Sequence, residues 1–183
     1  MRREAARRLA TAVPYTCRMA YAQHVLSGLH LGLGYADALT KSIPAERFAD
    51  FPGKDVVCPA FYMGHLAIYP SRALDLLGRA DLAVANPAGW DERFKAGVEA
   101  KPGEYPSKDA IMDHFMAGYR AVAKALETAP DEAFERANPA EGRFKEMFPT
   151  VGGAVTFLCI GHMQMHLGQV STWRRVMGLG SAM

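Results

Sequence analysis

Residues 152–178 read GGAVTFLCIGHMQMHLGQVSTWRRVMG, and this run decides the fold. Val155, Leu158, His162, His166, Gln169, Trp173 and Met177 step by three or four residues. At ~100° per residue they share one arc of a helix roughly 100° wide. The spacing predicts a helix from about Gly152 to Met177. Arg174 and Arg175 stand in its last turn, where the helix dipole favours cations, and Gly178 follows as a cap. His162 and His166 then lie one turn apart on the face expected to be buried.

Outward from this helix, three more segments carry helical signals and almost nothing reads as strand. The first runs from about Tyr15 to Leu39, with Pro14 suited to an opening position and an apolar stripe at Ala22, Leu26, Leu29, Leu33 and Ala36. The second begins near Pro59, and Phe61, His65, Ile68, Arg72 and Leu76 follow helical spacing. Pro70 inside it removes the bond to the Leu66 carbonyl and predicts a kink, with Gly78 as the stop. The third opens on Ser107 as N-cap, with Asp109 in its first turn. It buries Ile111, Phe115, Tyr119, Val122 and Leu126 and ends by Pro130. The link Ala80 to Pro106 is rich in proline and glycine, and Trp90 and Phe94 are read as anchors that fold it onto the helices rather than as ligand contacts. Four long amphipathic helices predict an all-α fold, a four-helix bundle with long crossover loops, in a single domain spanning 1–183. Residues 1–13 form a basic lead-in.

Composition sets limits on partners. The chain has 183 residues, half of them apolar, 22% charged and a formal net charge of +2. That is enough apolar material for a core and no electrostatic case for nucleic acid. No apolar run reaches the ~20 residues of a membrane span, and no apolar stretch follows Arg2, Arg3, Arg7 and Arg8 as a secretory signal would require. Cys17, Cys58 and Cys159 are too scattered for a disulfide framework, so a cytoplasmic location is expected.

The chemistry sits with the histidines. Two imidazoles at i and i+4 can grip one metal ion, and neutral imidazole suits zinc, nickel, iron or copper. The pair alone reads equally as core packing. It is not the zincin motif, because Met163 stands where that motif has its glutamate. His65, in Phe61-Tyr62-Met63-Gly64-His65-Leu66, adds a third candidate if the second and fourth helices are neighbours. Gly64 is read as allowing a close helix approach. Three protein ligands leave a coordination position for water or substrate. Gln169 is read either as orienting a metal-bound water or ligand or as a packing hydrogen bond. Cys159, three residues before His162, is taken as a buried hydrophobe and not a ligand. His114 is placed at the edge of the third helix's buried face, in a flank position or a hydrogen-bonded core role, His24 and His30 off any shared face, and Tyr62, Tyr69 and Tyr119 either at a pocket mouth or in packing.

The run Gly161-His162-Met163-Gln164-Met165-His166-Leu167-Gly168-Gln169-Val170, with Arg174-Arg175 and Gly178, resembles the final helix of the DinB/YfiT-like metalloenzyme family. His65 in Met-Gly-His-Leu matches the histidine that the family carries on its second helix, and the link from Trp90 to Pro106 resembles the family's entry into its third. The resemblance covers residues 15–178. It implies a metal on His65, His162 and His166, homodimerisation in many members, and activities that include thiol-dependent transfer and hydrolysis. The reading is therefore a metal-dependent enzyme, a transferase or hydrolase acting on a small molecule, with zinc or nickel foremost and iron next, and a low-molecular-weight thiol as a further cofactor. The alternatives are a non-catalytic metal or small-ligand binding protein and a structural bundle with incidental histidines. Carboxylates are scarce on the inner stripes, which favours thiolate or substrate binding over protease-like chemistry. Metal affinity is expected to fall as pH drops through about 6.5.

Overall fold

The computed structural model describes residues 20–53 and 55–182. The basic lead-in, Pro14, Cys17 and the expected helix start at Tyr15 lie outside the described residues. The described helices are α1 Tyr21–Thr40, α2 Pro59–Ala67, α3 Pro70–Leu77, α4 Trp90–Phe94, α5 Lys108–Glu127, α6 Asp131–Glu135, α7 Arg143–Met147, α8 Val151–Thr156 and α9 His162–Val176. A π turn, Phe157–Gly161, joins α8 to α9 without a break. Extended pairing among the described residues is limited to the isolated bridges Gly53–Val56 and Ala137–Thr150. The fold is all-α.

Four rods carry the core: α1, α2 with α3, α5, and α8 running through the π turn into α9. Their contacts close a ring, since α1 packs on α5 and α9, and α2 packs on the same two. The α1 stripe Ala22, Leu26, Leu29, Leu33 and Ala36 is buried as its spacing requires, and so is the α5 stripe Ile111, Phe115, Tyr119, Val122 and Leu126. Ser107 caps α5 by accepting a hydrogen bond from the Ala110 amide at 3.1 Å. Two glycines bring α1 close to the last rod. A Cβ on Gly28 would stand 2.5 Å from Ile160 Cδ1, and one on Gly32 would stand 2.5 Å from Met163 Sδ.

The second rod is broken rather than kinked. Ile68 and Tyr69 separate α2 from α3, and the Leu66 carbonyl, which Pro70 cannot serve, accepts instead from the Tyr69 amide at 3.3 Å. The Pro70 ring then fills a notch in α5, where a Cβ on Gly118 would lie 2.7 Å from Pro70 Cγ. Gly78 ends α3 at φ 74°, a left-handed value glycine adopts without penalty.

Arg174, expected in the last turn of the final helix, is buried there. Its Nη1 donates to the Leu39 carbonyl at 2.7 Å and to Ser42 Oγ at 2.9 Å, and its Nη2 to the Leu179 carbonyl at 3.2 Å. It thus ties the C-terminal end of α1 to that of α9, where main-chain carbonyls carry the negative end of each helix dipole. Arg175 remains exposed and free for the role expected of both. No helix among the described residues is long and apolar enough to cross a membrane.

Candidate metal centre

Of the expected stripe the last rod buries Val155, Leu158, His162 and Trp173 and leaves His166 and Met177 half-buried. Its fully buried residues also include Ala154, Cys159, Met163, Leu167 and Val170. Repeated steps of four drift by ~40° each in a regular α-helix. The π turn, with its wider i→i+5 closure, absorbs that drift and keeps these residues on the core. His162 and His166 are thereby set on the flank of the buried stripe, facing a cavity. Gln169, expected on the inner face, is exposed.

The structure brings the three histidines together. His65 Nε2 lies 2.9 Å from His162 Nε2, and His166 Nε2 lies 3.1 Å from the same atom. The outer nitrogens fix which atoms are lone pairs. His65 Nδ1 donates to the Phe94 carbonyl at 2.5 Å. A carbonyl only accepts, so in the neutral ring Nε2 is left bare. His166 Nδ1 stands 2.6 Å from Gln169 Oε1, which sets the same tautomer. His162 Nδ1 is buried with no partner among the described residues.

This donor set fits a transition metal. Two bare Nε2 atoms face a third nitrogen, and a single hydrogen there could satisfy only one of them. A cation among them removes the mutual repulsion. Nitrogen ligands at ~2.0–2.1 Å in a tetrahedral arrangement stand about 3.3 Å apart, within a few tenths of the 2.9 and 3.1 Å seen here. The Phe94 and Gln169 contacts are the outer bonds that orient metal-binding imidazoles. Metal-free, the rings are held neutral. Burial, then the neighbouring His166 and His65, push His162 down to about 3. Burial lowers His166 to about 4 against the opposing pull of Gln169. Burial also lowers His65, opposed by the Phe94 carbonyl. Proton competition for the nitrogens therefore sets in below the 6.5 that unperturbed histidines would give.

Phe94 holds its position through Gly64. A Cβ on Gly64 would overlap the Phe94 ring, so the close helix approach that this glycine allows is that of the short helix α4, in the link between α3 and α5, rather than of another rod. The anchor reading of Phe94 misses that its carbonyl reaches the site. Tyr69 pins the next residues, its Oη accepting from the Ala96 amide at 3.3 Å.

The histidines open on a cavity of about 460 Å³ walled by Phe61, Tyr69, Phe144 and Phe157, with Arg72 and Lys95 at its sides. No aspartate or glutamate among the described residues lines it. Of the tyrosines considered for the mouth, Tyr69 lines the cavity. Tyr62 only packs near His166, with ring centroids 5.6 Å apart, and Tyr119 lies in the core. Cys159 is fully buried outside the cluster, and burial pushes its thiol up to about 12. His114 bonds Asn86 Oδ1 at 3.0 Å, and His24 and His30 are exposed.

Fold and site together define an all-helical protein with a three-histidine group able to hold a metal ion. The chain matches the family model of the DinB superfamily over residues 29–170 and belongs to that superfamily. No curated protein matches it.

Proposed function

We propose that the protein is a metal-dependent enzyme that binds a divalent transition metal, zinc or nickel foremost and iron next, on His65, His162 and His166 and acts on a small molecule held in the adjoining cavity. The observation that carries this reading is the convergence of three Nε2 atoms at a cavity wall, two of them stripped of hydrogen by the Phe94 carbonyl and Gln169. A metal there supplies Lewis acidity toward water, for hydrolysis, or toward a low-molecular-weight thiol, for group transfer. The chain's own residues orient and shield. Phe94 and Gln169 hold the imidazoles, and Phe61 and Phe157 keep one side of the site apolar. Among the described residues no Asp or Glu lines the cavity to move a proton, which supports thiol or substrate binding over protease-like hydrolysis.

The same absence favours, as a second reading, metal or ligand binding without turnover. Assays of the metal-loaded protein with thiols and electrophiles separate the two. The metal itself is tested by elemental analysis of purified protein. One equivalent of zinc or nickel, lost in His162→Ala, is the expected result. Equal metal content in that variant would rule the site out. A homodimer, a single domain over the whole chain and a cytoplasmic setting belong to the same proposal. The first is supported by the family resemblance, and the last by the two described cysteines being free and buried. Light scattering that reports a monomer would remove the dimer.

A further inference from the structure

The cavity beside the histidines has a charge pattern that the metal reading does not use. Arg72 and Lys95 are the charged residues of its lining apart from the histidines, and both are cationic. Arg72 is held in place by the protein. Its Cζ sits 4.1 Å from the centroid of the Phe144 ring, one of the cavity walls. Stacking uses the face of the guanidinium and leaves its N–H edge unspent. The Arg72 guanidinium makes no hydrogen bond or ion pair among the described residues, whereas Arg47, Arg79 and Lys101 each meet a carboxylate. Lys95 follows Phe94 directly, on the segment that Tyr69 pins through Ala96. A concave, largely apolar site with two cations and no acid concentrates positive potential inside it.

We infer that this cavity binds a small organic carboxylate with an apolar body, and that Arg72 is the residue that recognises the anion. The planar donor edge of a guanidinium matches a carboxylate in a two-point bond. The aromatic walls Phe61, Phe144 and Phe157 accept the apolar body. Tyr69 adds a further donor, because its Oη accepts from Ala96 and its own hydrogen has no acceptor among the described residues. Lys95, exposed as Arg72 is, contributes charge rather than geometry, because an ammonium lacks the planar fork of a guanidinium. The inference rests on the cavity of the proposed site and not on the metal within it.

The test uses the full chain, metal-depleted and zinc-loaded, titrated in a calorimeter with 4-phenylbutyrate and with the isosteric neutral 4-phenylbutyramide. The metal-depleted wild type is expected to favour the acid over the amide about tenfold, the range of one charge-assisted bond pair. Arg72→Gln is expected to abolish that preference while zinc content by elemental analysis matches wild type. Lys95→Gln is expected to reduce it by less. Equal binding of acid and amide, no binding of the acid, or a preference that survives Arg72→Gln overturns the inference. A wild type that takes up no zinc yet shows the Arg72-dependent preference would break the metal reading and support this one.

Discussion

The two halves of the helical ring are built on different rules. Helices α1 and α5 are each 20 residues long and uninterrupted. Their buried stripes keep a regular three-and-four spacing, and they contribute none of the three histidines. The other two rods are both irregular, one broken before Pro70 and the other widened by the π turn, and they carry all three. The irregularities lie beside the site, since Pro70 follows His65 by little more than a turn and the π turn ends where His162 begins. Regular helices supply the core against which irregular ones can be held. Wide turns inside helices recur at functional sites for this reason, because they re-aim side chains without ending the helix.

The sharpest way to break that contrast is to put the last rod out of register at the π turn. Inserting one alanine after Gly161, an exposed residue of that turn, turns His162 and His166 by about 100° relative to α8. Zinc uptake measured by equilibrium dialysis should vanish while far-UV circular dichroism still shows a helical, cooperatively melting protein. Retained stoichiometric zinc would mean that the turn does not aim the histidines. In the regular half, Phe115→Ala empties a fully buried site on α5. It should cost ~3–5 kcal/mol in denaturant unfolding and leave zinc content intact below the midpoint. Loss of zinc in a folded Phe115→Ala protein would show the two halves to be coupled.

Acid should weaken the metal-free protein through the irregular half. His162 sits near 3 when folded and near ~6.5 when unfolded, so between these values the unfolded chain holds the extra proton. Stability is then whole above ~6.5 and declines as pH falls toward 3, by on the order of a few kcal/mol. Chemical denaturation from pH 7 to 4 should show this slope, and His162→Phe should flatten it. An unchanged slope in the variant would assign the acid loss to other groups. The smallest effect is expected at Gln169→Ala, which removes the outer partner of His166. Zinc affinity should drop about 10–100-fold with little change in melting temperature, and an unchanged affinity would reduce that contact to packing.

The difference between the halves also marks how far the sequence could be read. Where the period was regular, at Leu26, Leu29 and Leu33 or at Phe115, Tyr119 and Val122, apolar spacing alone located the buried face. His65, His162 and His166 were legible as a constellation because each fell on an apolar helical segment. The π turn was not, although a signal existed. Val155, Cys159, Met163 and Leu167 repeat at intervals of four, a spacing that a uniform helix cannot keep on one side. Gln169 was assigned inward because the helix was assumed uniform throughout. Arg174 was read only as a last-turn cation of its own helix, since no local pattern announces that carbonyls from another helix will receive it. The Phe94 carbonyl and the pairing of Arg72 with Phe144 join segments far apart in the chain, and single-sequence periodicity carries no information about such contacts.

The group that orients His65 belongs to the main chain of Phe94, and this has an evolutionary consequence. No codon change at position 94 can delete that oxygen; it can only shift it. What selection can act on is the fit of a large ring into the gap left by a hydrogen-only side chain at position 64. Across homologues, the imprint of this histidine's tautomer should therefore be a coupled small-and-aromatic pair at 64 and 94, with no polar signature beside the histidine at all.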